Sequence, residues 1–168
     1  LIYSGVYDAD MVIGKGFTQP DKAGSFGIEL IHLYKMLSRE RYPHKTNEHY
    51  LEVAIGIANT LSKNMVPGDS VCSPLPFKVH TETGKLGIIN HRLNPDSLAN
   101  QSGYTTNWTG TMELFLELIK MKRGDVQAYQ KSFDMLLAWT KKYPLQNHRW
   151  GPFFEDIPVW SDTQINAI

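Results

Sequence analysis

A polar loop that runs straight into an apolar-faced helix occurs twice in this chain, the first time with a turn at a proline, and that recurrence constrains the fold more than any other feature. The first copy reads Gln19-Pro20-Asp21-Lys22-Ala23-Gly24-Ser25-Phe26-Gly27-Ile28-Glu29-Leu30. The second reads Tyr104-Thr105-Thr106-Asn107-Trp108-Thr109-Gly110-Thr111-Met112-Glu113-Leu114. Aligned on Gly24 and Gly110, each copy places an apolar helix after a polar approach, and a second helix follows each. Tyr50 to Asn64 then matches Tyr129 to Tyr143 without a gap, and each is succeeded by an extended Pro-Phe pair, Pro76-Phe77 or Pro152-Phe153. The repeating unit is an inner helix, an outer helix and an extended rim segment, about eighty residues long and longer than the common solenoid units.

Helical spacing predicts four helices, near 22–37, 47–64, 109–122 and 125–143. In the first, Phe26, Leu30, Leu33, Tyr34 and Leu37 form the apolar stripe, with Asp21 placed as N-cap after Pro20. In the second the stripe is Tyr50, Ala54, Ile57, Ala58 and Leu61, and the small residues Ala54, Gly56 and Ala58 would admit a close neighbour. The third is apolar on nearly every side, which predicts burial, so helices one and three should form the inner layer. Gly124 is placed to close it and Asp125 to cap the fourth, whose stripe is Tyr129, Phe133, Leu136 and Leu137. Between helices two and three, Phe77–Thr81 and Lys85–Ile89 flank Glu82-Thr83-Gly84 as a small β-hairpin in a long loop. At the C-terminal end Ser161 and Gln164 have capping-box spacing, the start of a fifth helix.

Composition narrows the class. Lys+Arg and Asp+Glu both number 17, so no global field attracts a polyanion and nucleic acid is not an expected partner. The densest apolar run, Leu114 to Ile119, is interrupted by Glu117, so no membrane span is expected. A single cysteine, Cys72, makes no internal disulfide. The six histidines lack HExxH or paired-ligand spacing, so neither a metal nor another cofactor is expected. No signal region is visible, which leaves the compartment open among soluble, secreted and periplasmic locations.

The phrases TQPDKAGSFGIELIHLYK, YLEVAIGIANTLSKN and YQKSFDMLLAWTKKYP resemble the repeats of (α/α) toroid proteins, nearest the six-hairpin glycosidase superfamily with its unsaturated glucuronyl and rhamnogalacturonyl hydrolases. Epimerase-like toroids are more distant. The resemblance is architectural and spans most of the chain. It implies an all-α fold of repeated α-hairpins: hairpin one over 21–64, a rim loop with the β-hairpin over 65–106, hairpin two over 107–143, and a rim segment with the start of a third hairpin over 144–168. It further implies parallel inner helices whose N-termini share one mouth, bringing together Asp21, Asn107-Trp108 and Asp162.

On that basis the expected activity is glycosidic-bond hydrolysis in a poly- or oligosaccharide. Asp21, Glu155 and Asp156 are the candidate catalytic carboxylates; Tyr7, Asp10, Asn107, Trp108, Trp150 and Asp162 are the candidate sugar contacts, with Trp108 as the stacking platform. Each has a plainer explanation: capping or helix-dipole preference for Asp21 and Asp162, a solvated turn for Glu155 and Asp156, rim packing for the tryptophans. A uronate or amino-sugar epimerase, or a non-catalytic glycan- or protein-binding fragment, is the competing expectation. His80 is the histidine to watch as a polar contact, while Trp139 reads as structural and Cys72 as structural or incidental.

A complete toroid has six or seven hairpins, and this sequence supplies two and the start of a third. Apolar flanks that neighbouring hairpins would cover should make it oligomerise or belong to a longer chain. Sedimentation showing a cooperative, stable monomer would contradict that expectation.

Overall fold

The computed structural model describes residues 16–39, 45–70, 72–86, 103 and 105–143. In chain order these form strand β1 (Phe17–Thr18), helix α1 (Pro20–Arg39), helix α2 (Lys45–Asn64), strand β2 (Val79–His80), helix α3 (Thr109–Met121) and helix α4 (Val126–Lys142). The described chain is therefore mostly helical, and all four helices expected from periodicity are present. The chain divides into two compact units. One holds 21–65 and 108–137; the other includes the described stretches 16–20, 66–70, 72–86, 103, 105–107 and 138–143.

In the helical unit the four helices pair as two hairpins. At the connected end of the first, Tyr34 Oη donates to Glu48 Oε1 (3.1 Å), linking the C-terminal half of α1 to the start of α2. In the second, the rings of Phe115 and Tyr129 stack with centroids 5.7 Å apart. The hairpins meet through glycine. A Cβ built on Gly24 would lie 2.8 Å from Thr111 Cα, and one on Gly110 would lie 2.7 Å from Ser25 Cα. Further along, Gly27 faces Leu114, and Lys35 pairs with Glu117. The partners advance in the same order on both helices, so α1 and α3 run parallel with their first turns side by side. Between α2 and α4, Ser62 Oγ and Ser132 Oγ share a hydrogen bond of 2.7 Å, and Tyr129 donates to Asn59 Oδ1.

These contacts revise the expected stripe of α1. Phe26 is 47% exposed, while Gly24, Gly27, Ile28, Leu30 and Ile31 are buried. Hydrophobic spacing gives no weight to glycine, yet here the glycines mark the buried face because only they allow backbone to approach backbone. The close approach expected at Gly56 is absent: Gly56 is exposed, and nothing lies within 4 Å of its would-be Cβ. Helix α3 is not enclosed on all sides either. Thr111, Leu114, Phe115 and Leu118 are buried, Met112, Leu116, Ile119 and Met121 are half-buried, and Glu113 and Lys120 are exposed. Its apolar content exceeds the area that its neighbours cover. Helix α4 buries Tyr129, Ser132, Leu136, Trp139 and Thr140, leaving Phe133 and Leu137 half-buried.

Two helix ends also differ from expectation. Helix α1 begins at Pro20, so Asp21 lies inside its first turn instead of capping it. The ring of proline pre-sets the backbone for the first helical position, where a missing N–H costs nothing. At the end of α3 the left-handed residue is Lys122 (φ 55°), not Gly124. Lys122 N–H reaches Ile119 O and Arg123 N–H reaches Leu118 O, both at 3.0 Å, satisfying carbonyls that the helix leaves open. Gly124 (φ 72°) instead turns the chain toward α4 beneath the Tyr129 ring, whose Cε2 would be 2.9 Å from a Cβ there. Asp125 caps α4 as expected, its Oδ1 accepting from Ala128 N–H at 3.0 Å.

The described part of the second unit is organised by polar bonds between stretches far apart in the chain. Strands β1 and β2 pair antiparallel, Phe17 with His80 and Thr18 with Val79, and Val79 also bridges to Leu86. The 81–84 turn closes with Gly84 N–H donating to His80 O (2.9 Å) and Gly84 at φ 67°. Thus part of the expected hairpin is present, with β1 as a further partner; positions 87–89 lie outside the described residues. Ser73 joins three stretches: its hydroxyl donates to Leu75 O (2.6 Å) and accepts from Thr105 N–H (3.0 Å), and its N–H donates to Gly103 O (3.1 Å). Trp139 Nε1 donates to Asp69 O (2.9 Å), and its indole packs against Gly68, so it is structural as expected. Cys72 is exposed and free, so it is no part of the core.

Gly24→Ala should lower unfolding stability by about 2–3 kcal/mol through overpacking against Thr111, whereas Gly56→Ala should raise it by up to about 1 kcal/mol. Urea denaturation of the two variants checks both signs.

Glu117 yields a pH test. Hydrogen bonds from Lys120 and then Lys35 lower its pKa from 4.5 to about 2. A lowered carboxylate pKa stabilises the fold above the unfolded value and loses that contribution as pH falls through the folded one. Glu117→Gln should therefore cost about 1 kcal/mol at neutral pH, limited by solvent screening at the exposed Lys120. The gap from wild type should begin to close below pH 4.5 and be gone under about pH 2, as read from urea midpoints across that range.

Candidate functional site

Of the residues singled out in the sequence, Asp21, Asn107 and Trp108 lie among those described. Tyr7, Asp10, Trp150, Glu155, Asp156 and Asp162 lie outside the described residues.

The paired glycines set the geometry at the start of α1 and α3. With Gly24 against Thr111 and Gly110 against Ser25, the first turns of the two helices are neighbours. Asp21, one turn before Ser25, and Trp108, immediately before α3, therefore belong to the same end of the helical unit. Ser25 Oγ donates to Asp21 O (3.1 Å), tying the first turn together.

Asp21 is 1% exposed. Its Oδ1 accepts from Lys22 N–H at 2.8 Å, one of the N–H groups that a helix start leaves without an intrahelical acceptor. The positive end of the helix dipole favours a carboxylate at that position. Both features satisfy the plainer reading of Asp21 as a helix-start residue. The carboxyl group is sheltered from water.

Trp108 corrects an expectation. It is 1% exposed and among the largest fully buried side chains, so it does not offer the open face that a sugar platform requires. Its backbone supplies the N-cap of α3 without a side-chain cap, and its carbonyl accepts from Met112 N–H at 2.9 Å. The indole has been drawn into the core because a side chain this large gains more from burial than from capping. Asn107 is half-buried, and its N–H donates to Thr105 Oγ1 at 3.3 Å.

Periodicity missed a set of buried polar residues that flank the helix starts. Gln19 precedes α1, and Thr105 and Thr106 precede α3; all three are buried, as is Lys78 beside β2. Their sequence signal was the polar run ahead of each repeat, which reads as an exposed loop unless each hydrogen-bond partner is known. Thr111 is buried beside Gly24, and its hydroxyl has no hydrogen-bond partner.

His80 is occupied structurally. Its Nδ1 faces the N–H groups of Glu82 and Thr83, each at 3.3 Å, and accepts from them. Among the described residues no group of three or more His, Cys, Asp or Glu could hold a metal ion, and no helix is long and apolar enough to cross a membrane.

No family model, curated protein or solved structure matches this chain.

Trp108→Ala should lower unfolding stability by about 3–5 kcal/mol, the cost of emptying an aromatic core position. A ring serving only as an exposed platform would leave stability within about 0.5 kcal/mol of wild type. Chemical denaturation distinguishes the two.

Proposed function

We propose that this chain is part of a carbohydrate-active helical-hairpin toroid that hydrolyses glycosidic bonds in a poly- or oligosaccharide by carboxylate acid/base chemistry. The observation that carries the reading is the parallel, side-by-side placement of the first turns of α1 and α3, which brings Asp21 and the approach to α3 to one end of the helical unit. The repeat pattern of the sequence and the helical hairpins support the same architecture.

In this reading Asp21, enclosed in the structure, is uncovered on substrate binding and protonates the glycosidic oxygen as the bond to the anomeric carbon breaks. A second carboxylate, Glu155 or Asp156, then activates water or attacks the anomeric carbon itself. The separation of the two carboxyl groups decides the outcome: about 6.5–9.5 Å admits a water and inverts the configuration, and about 5–5.5 Å favours a covalent intermediate and retention. Paired helix N-termini would favour anionic groups on the sugar.

One observation favours a second reading, a module that binds a protein partner without catalysis: Trp108 is enclosed and gives the mouth no face on which a sugar could stack. An epimerase would need two acid/base groups across one ring, and the Nδ1 of His80 is already engaged with backbone N–H groups.

The test is reducing-end release from a panel of neutral and uronate-containing oligosaccharides, with glycan-array binding measured in parallel. Wild-type turnover that falls by about 10²–10⁴-fold in Asp21→Asn, with array binding retained, supports the hydrolase. Turnover that survives both Asp21→Asn and Glu155→Gln removes these carboxylates from the mechanism. Wild-type protein that shows neither turnover nor array binding selects the protein-binding module.

A further inference from the structure

We draw no further inference here: the strongest candidate, the solvent-facing stripe of α1 that carries Phe26, Leu33 and Met36, is an unpartnered apolar face, and nothing in the structure shows what covers it.

Discussion

The arrangement of the helical unit depends on a reciprocal contact between two glycines and two hydroxyl residues. Gly24 lies against Thr111, and Gly110 lies against Ser25, so the equivalent dipeptides of the two sequence repeats face each other with roles exchanged. Interior glycine costs a helix about 1 kcal/mol relative to alanine, and α1 carries two such residues in succession, Gly24 and Gly27. What offsets that cost is the proximity it permits: the backbones of α1 and α3 approach within the width of a side chain, and Leu114 settles over Gly27. The contact also sets the polarity of the pair. Once the first turns touch and Lys35 reaches Glu117, the two helices can only run in the same direction.

Each hairpin then needs its own return path, and the two are closed by different chemistry. At the α3–α4 corner, Lys122 accepts a left-handed backbone so that two orphan carbonyls find N–H donors, Gly124 makes the next bend, and Asp125 opens α4. At the ends of α1 and α2 the link is made by side chains. Glu48 accepts from Tyr34 and from Arg123 (3.0 Å), so one exposed carboxylate bridges α1, the start of α2 and the end of α3. Burial pushes the Tyr129 phenol pKa up, and its hydroxyl donates to Asn59, which secures α4 to α2. Breaking that bond would strand the buried Tyr129 hydroxyl, whereas the exposed Asn59 could turn to water.

The described part of the other unit has little regular structure and relies on polar bonds between sequence-distant loops. Ser73 engages Leu75, Gly103 and Thr105, and Trp139 satisfies its indole N–H on Asp69 O. Loops that are buried must satisfy every backbone group locally. That demand explains why small polar residues, Ser73, Thr105 and Thr106, are buried where a helix core would use leucine.

The sequence alone determined the four helices and their order, because spacing of apolar residues and capping chemistry act within a few turns of chain. It also determined the cap at Asp125 and the turn at Gly84, both set by a single residue's local preferences. The repeat placed Gly24 and Gly110 in register, but it did not say that they touch. Which face of α1 is buried was decided by tertiary structure: the glycine side wins over the Phe26 side because backbone contact with α3 is available only there. The same holds at the candidate site. That Asp21 begins a helix was legible from Pro20-Asp21. That it is sheltered from water, and that Trp108 is enclosed instead of open, depended on what packs around them, and apolar spacing along one segment carries no information about neighbours far away in the chain.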